Sequence, residues 1–352
     1  TCPPPFCRKT GPDPMARITA IGQIDGAEVH QATLEANGLR VALLTWGARL
    51  AELWVPDATG TLADIVLGHD SAQDWQTHGT YLGATCGRYA NRIAGGRFTL
   101  DGRTTQLDRN EGANTLHGGA HGFDRKHWTI DSHSDTHVTF TTSSPDSDMG
   151  FPGTLTARTT YRIDGPALLI EMEATTDAPT VVNLVNHAYF NLAGQGAGDV
   201  MGHQLQVEAS HYLPVDHELI PTGEILSVAN TSFDFRQPRP IGAELPGPDA
   251  FDHNLCLSAP TGADDLRPCL TATDPASGRR MRLSTTEPGV QLYTGAHFDG
   301  PGKQGARYPR FAGFAAETQR FPDSPNRPQF PSSRLNPGET YRHLMRFDFT
   351  PA

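Results

Sequence analysis

The sequence predicts an all-β protein of antiparallel sheets, folded as a sandwich or a barrel, and three observations carry that expectation. Short runs rich in valine, threonine, leucine and aromatic residues recur along the 352 residues, the pattern of half-buried strands. Between them stand 36 glycines and 28 prolines, the residues that make turns and end ladders. Helical spacing is convincing only in one short segment, 71–77, so few and short helices are expected.

Taken in chain order, residues 1–14 are proline-rich and end just before Met15; they are expected to form a disordered leader. No later shift of composition marks a linker, so 15–352 is expected to be a single domain. Residues 97–100 and 103–107 flank Asp101-Gly102, a two-residue hairpin turn in which both positions tolerate positive φ. Residues 137–142, 155–163 and 168–174 read as consecutive strands. So do 203–208, the pair 270–273 and 280–284 across the turn 274–278, then 290–294 and 341–349.

A net charge of −11 with no offsetting basic stretch argues against a nucleic-acid or anionic-membrane partner. No apolar run approaches the ~18 residues of a membrane span, and no signal-peptide core opens the chain. Two of the five cysteines fall in the leader. Cys86, Cys256 and Cys269 are too widely spaced for a zinc pattern or a disulfide framework, as buried reduced thiols of a cytoplasmic protein would be. Nothing decides between a monomer and a homodimer. There is no Gly-x-Ser-x-Gly nucleophile elbow and no Cys–His pairing. Asn230-Thr231-Ser232 is formally a glycosylation sequon, but without a secretion signal it carries no weight.

The chemistry concentrates in 182–192, Val-Asn-Leu-Val-Asn-His-Ala-Tyr-Phe-Asn-Leu. This strand-like run places His187 between Asn186 and Asn191 and beside Tyr189 and Phe190. Amides and imidazole suit sugar hydroxyls, and ring faces suit C–H surfaces. Four further segments offer related groups. Gly87 to Gly96 is glycine-bounded and basic, lacks both phosphate-loop patterns, and is either a turn with solvated arginines or a loop whose Asn91 and Arg92 are fixed donors. In 110–128, His117 and His121 have the spacing of a helical zinc pair, but Gly118, Gly119 and Gly122 oppose a helix; a loop presenting His117 to a cleft is the better reading. Asp252, in Phe-Asp-His-Asn, is a local turn cap or an acceptor, and Gln291 is an amide in an apolar strand that needs partners. Glu317 ends an apolar run, where a carboxylate is costly unless paired or used.

Together these segments resemble the motif set of the aldose 1-epimerases. The resemblance rests on the Asn91-Arg92 loop, Asn-Thr-Leu-His-Gly-Gly at 114–119, Asn-His-Ala-Tyr-Phe-Asn-Leu at 186–192 and Phe-Asp-His-Asn at 251–254. Pro-Gly-Val-Gln-Leu-Tyr-Thr-Gly at 288–295 and Glu-Thr-Gln at 317–319 extend it, in order, over roughly 15–350. It implies a β-supersandwich of antiparallel sheets with a sugar cleft, and interconversion of the α and β anomers of a free monosaccharide such as galactose or glucose without cofactor or metal. It further implies Glu317 as base, His187 as acid, His117 assisting near the ring oxygen, and Asn91, Arg92, Asp252 and Gln291 holding hydroxyls. Tyr189 and Phe190 would be apolar walls. Reference pKa values of about 4.3 for Glu and 6.5 for His fit an anionic base and a protonated acid. Loops near 194–200 and 299–307 are expected to shape sugar preference. Two rivals remain: a hexose-6-phosphate epimerase using Arg88, Arg92 and Arg97, and a glycoside hydrolase pairing Glu317 with Asp252.

Overall fold

Strict alternation of buried and exposed residues runs through Leu155–Asp164, where Leu155, Ala157, Tyr161 and Ile163 face inward and Arg158 and Arg162 outward. A period of two gives a strand one apolar face. This strand turns at Gly165-Pro166 and pairs residue for residue with Ala167–Thr176. The computed structural model describes residues 16–78, 81–248, 250–258 and 265–351; the expected leader, 1–14, lies outside the described residues.

Three antiparallel sheets carry the fold. An N-terminal five-stranded meander joins Arg17–Ile24, Ala27–Ala36, Leu39–Leu44, Arg49–Pro56 and Leu62–Asp64. A nine-stranded sheet runs in the order Thr129–His133, His137–Ser144, Leu155–Asp164, Ala167–Thr176, Tyr341–Pro351, Arg279–Thr285, Arg267–Thr273, Gln204–Val207, Arg239–Pro240. The third, six-stranded, runs Tyr189–Phe190, Phe314–Gln319, Gly289–Tyr293, Asp252–Leu257, Ala209–Tyr212, Leu226–Ser227. Phe190 lies 5.4 Å from Phe347 and 6.0 Å from Phe314, ring to ring, which packs the six-stranded sheet onto the nine-stranded one. The all-β, antiparallel expectation holds, and so does the hairpin, Arg97–Leu100 with Arg103–Gln106. Segment 71–77 is a helix, Ala72–Thr77, whose first turn is capped by the Ser71 hydroxyl accepting from Asp74 N–H.

Two parts of the chain depart from the pattern reading. The N-terminal meander was not singled out, because Arg17–Ile24 and Ala27–Ala36 show no regular burial alternation. The run 182–192 is not one strand. Val185–Asn186 pairs with Thr85–Cys86, and Tyr189–Phe190 pairs with Phe314 and Ala315. Every residue from 180 to 192 is buried, so the segment has no solvent face to give it a period.

The meander is tied to the loop that follows His297 through one buried ion pair. Lys303 Nζ reaches Asp64 Oδ2 and donates to the Ala51 carbonyl at 2.7 Å, while Asp64 Oδ1 accepts from Leu53 and Val66 N–H. Both side chains are 3% exposed, and burial pushes the Asp64 carboxyl up despite its partner. Removing the cation leaves a buried carboxylate unpaired. Lys303→Ala is therefore expected to lower unfolding stability by about 3–5 kcal/mol, read from the urea midpoint; an unchanged midpoint would show that the pair contributes nothing.

Candidate active site

Register places the site. Residues directly opposed in an antiparallel pair share a face, and neighbours along a strand alternate. Glu317 opposes Gln291, and Gln291 opposes Asn254. Tyr293 opposes both Ala315 and Asp252, and Ala315 also opposes Tyr189. One face of the six-stranded sheet thus carries Glu317, Gln319, Gln291, Asp252, Asn254, Tyr293 and Tyr189. The other carries Phe314, Ala316, Val290, Leu292, Leu255 and Phe190, all in the main core. Asp252 begins a strand rather than sitting in a turn.

Loops close over the polar face to leave a hollow of about 310 Å³. Asn91, Arg92, His117, His187, Asp252 and Glu317 all line it. His117 holds φ +51° and is followed by Gly118 at φ +90°, where a Cβ would fall 1.9 Å from the Gly87 carbonyl oxygen; only glycine fits. This tight loop, not a helix, carries His117, and His121 is exposed.

At the floor of the hollow, His187 Nε2 lies 3.4 Å from Glu317 Oε1, with both side chains almost fully buried. His187 Nδ1 and Glu317 Oε2 are buried and have no hydrogen-bond partner, an unusual state for polar atoms in an interior. Burial pushes the Glu317 carboxyl well above its ordinary range, helped by Asp252 and opposed by Arg92. Burial also lowers His187 to about 4. These directions run opposite to the protonation expected from reference values: in the protein alone burial favours the uncharged form of each group. The two groups stand side by side.

The ring of His117 lies 5.1 Å from that of His187. Its Nδ1 accepts the Asn91 backbone N–H at 3.1 Å, so a neutral ring carries its proton on Nε2. Burial, then His187 and Arg92, hold its pKa well below the usual value. One ligand atom from each of His117, His187 and Glu317 can be found within 4.8 Å of the others. A metal needs a lone pair at His117 Nε2, and the Asn91 bond makes that atom an N–H donor. The trio suits proton exchange better than metal ligation.

Arg92 donates to both oxygens of Glu111, at 2.7 and 2.9 Å, and lies 3.5 Å from Asp252 Oδ2. Burial opposes its charge, but Asp252 and Glu111 more than offset this and hold its pKa up. Gln291 Nε2 donates to Asp252 Oδ1 at 2.6 Å. Asn91 Oδ1 accepts from Arg92 N–H at 2.9 Å, and the residue lines the hollow.

Four expectations need correction. Phe190 is a core residue, not a cleft wall. Asn186 and Asn191 bind backbone, Asn186 to Gly83 and Ala188 and Asn191 to Gly198 and Ala312, because a buried segment crossing between sheets must satisfy its neighbours' carbonyls. Arg88 is held by Ser144 Oγ and the carbonyls of Ser144, Pro145 and Pro152. Loops 194–200 and 299–307 do not line the hollow, and Gln195 of the first accepts from the hydroxyl of Tyr308, just past the second, while Leu219 and His297 reach the hollow instead. The pattern reading also missed Tyr81, whose ring lies 4.4 Å from His117 and 5.7 Å from His187. It missed Glu111 and Tyr293 too; knowledge of strand register would have found Tyr293.

A model of the aldose 1-epimerase family matches residues 30–348, and the chain belongs to that family. It is 44% identical to a galactose mutarotase of Bos taurus over 92% of this chain and 95% of the relative. It is 39% identical to an aldose 1-epimerase of Escherichia coli strain K12, over 92% and 96%. A solved aldose epimerase homologue from C. elegans superposes with a TM-score of 0.85 at 32% identity, covering 92% of this chain and 99% of that one.

The hydrogen-bond direction at His117 is open to test. Long-range proton–nitrogen correlation spectra should show its ring neutral and protonated on Nε2 at pH 7; an imidazolium signature there would overturn the assignment.

Proposed function

We propose that the protein is an aldose 1-epimerase that interconverts the α and β anomers of a free aldose such as galactose or glucose. The contact between Glu317 and His187, with an unpartnered buried atom on each, carries this reading. Opening a cyclic hemiacetal takes one proton from the anomeric hydroxyl and gives one to the ring oxygen. Glu317, as carboxylate, takes the first; His187, as imidazolium, gives the second. The C1–O5 bond breaks, the aldehyde turns about C1–C2, and the same two transfers in reverse close the other face.

The pair's proton count never changes. With the open-chain aldehyde, the pair is carboxyl plus neutral imidazole, the distribution that burial favours in the protein alone. Binding of the cyclic sugar brings hydroxyl donors to Glu317 and stabilises its carboxylate, so the proton passes to His187. The Nε2–H of His117 donates to the ring-oxygen side. Asn91 Nδ2, Arg92, Gln291 and Asp252 hold ring hydroxyls, and Tyr189 offers its ring as a wall. All these groups come from one chain, so the reading asks for no partner beyond the sugar. Free thiols at Cys86, Cys256 and Cys269 fit a cytoplasmic setting.

The rivals find less support. Of the three arginines a phosphate would need, Arg88 is saturated by carbonyls and Arg92 by carboxylates. Both Asp252 oxygens are engaged, which suits a fixed acceptor rather than a nucleophile.

Glu317→Gln should cut kcat by about 10²–10⁴-fold and leave sugar affinity nearly intact; near-normal mutarotation by polarimetry would refute the base assignment. The pH profile follows from a pair that works holding one proton. Activity should fall on the acid side as a second proton binds near the His187 value of about 4. It should fall again on the alkaline side, well above 4.5, as the raised Glu317 group loses the only proton. A kcat/KM that rises with pH and never declines would contradict this.

A further inference from the structure

On the core side of the Glu317 strand lies a buried polar group that the proposed reaction does not use. His343, on Tyr341–Pro351 of the nine-stranded sheet, is fully buried. Its Nδ1 lies 2.9 Å from the Leu184 carbonyl oxygen, and its Nε2 lies 2.7 Å from Thr318 Oγ1 with Thr285 Oγ1 more distant at 3.3 Å. A carbonyl only accepts, so Nδ1 carries the proton and Nε2 accepts from the Thr318 hydroxyl. Thr318 follows Glu317 and points to the opposite face of the strand. Leu184 stands three residues before His187.

The backbone does not otherwise join these two segments at that level. Among the described residues, 182–192 is tied to the Glu317 strand at Tyr189–Phe190 and through the Asn183 side chain to Arg320 N–H. Between those points Leu184 N–H goes to Tyr341 Oη, His187 N–H to the Ala84 carbonyl, and Val185 and Asn186 to Thr85–Cys86. The imidazole of His343 spans the gap.

We propose that His343 is a positioning residue, which sets the separation of Glu317 from His187 by bridging Thr318 to the Leu184 carbonyl behind them. This rests on the reading of that pair given above. A shift of about 1 Å in reacting groups can cost on the order of 10²-fold in rate without touching the substrate. The bridge therefore acts on kcat, while the hydroxyl-holding groups, which lie on other strands, keep KM.

Two variants test it. Thr318→Val removes the hydroxyl and keeps the shape. His343→Asn keeps a donor within reach of Leu184 but is too short for Thr318. Each should lower kcat about 10- to 100-fold with KM within about two-fold of wild type, and the double variant should be no slower than the slower single one. Wild-type kcat in Thr318→Val with only a lowered Tm, or losses that multiply in the double variant, would overturn the bridge; should His343→Asn fail to fold, Thr318→Val decides alone. Wild-type protein that does not mutarotate any aldose would instead sink the functional reading, so the two failures are distinct.

Discussion

Strand register in the six-stranded sheet is the constraint on which the rest depends. Three neighbouring strands, Asp252–Leu257, Gly289–Tyr293 and Phe314–Gln319, put every second side chain on the core and the others on the polar face that carries the hollow. A slip of one residue would exchange the faces. Glu317 would enter the apolar core, and Thr318 would face the sugar. The core face prevents this, because Phe314, Val290, Leu292 and Leu255 would all have to leave it. Packing of hydrophobic residues on one side thus fixes the chemistry on the other.

The electrostatics of the hollow favour one shared proton between Glu317 and His187. The single guanidinium of Arg92 faces two carboxylates, Glu111 and Asp252, so the hollow is already negative before Glu317 is counted. Ionising Glu317 adds to that charge in a region of low dielectric, unless the released proton stays close by. His187, 3.4 Å away, is the nearest group that can take it. His117 is excluded from that role, since its Nδ1 is engaged by the Asn91 N–H and its Nε2 already bears hydrogen. Burial therefore couples the two groups more tightly than their reference values predict.

Much of this was legible in the sequence, and the misses have physical causes. Local patterns found the hairpin at Asp101-Gly102 and seven strands of the nine-stranded sheet, all but its two edge strands, Thr129–His133 and Arg239–Pro240. They did not find the meander, whose first two strands are exposed without a regular period and whose next two are buried or half-buried throughout. Glu317, Asp252, Arg92, His117 and His187 were legible because a Glu, Asp, Arg or His in an apolar strand or tight loop needs a reason; Glu111 and His297, which are not buried, were not. The neutral groups were less legible. Phe190 and Tyr189 are adjacent, yet one packs on Phe347 and the other lines the hollow; alternation settles which, once the pairing of Tyr189 with Ala315 is known. Asn186 and Asn191 look like sugar-binding amides beside His187. They serve backbone carbonyls, because a doubly buried segment without a continuous neighbour has unmet polar groups of its own. Tyr81 offered no local signal, since its contacts are to rings distant in sequence.

The direction of the amides follows from the same register. Gln319 Nε2 donates to both Gln291 Oε1 and Asn254 Oδ1, at 3.2 and 3.1 Å. A carboxylate only accepts, so Gln291 must turn its nitrogen to Asp252 Oδ1 and its oxygen to Gln319. Asp252 is then fixed between an amide donor and the guanidinium of Arg92, and Arg92 in turn between Asp252 and Glu111. No group in this chain can flip without leaving a buried donor opposite a donor or an acceptor opposite an acceptor, each costing about 1–3 kcal/mol. The side chains that face the sugar thus present a set order of donors and acceptors before any ligand arrives. That order is set at Asp252, whose carboxylate only accepts, and runs through Gln291 to Gln319 and Asn254, which lie beyond the lining of the hollow, because three strands are aligned residue against residue.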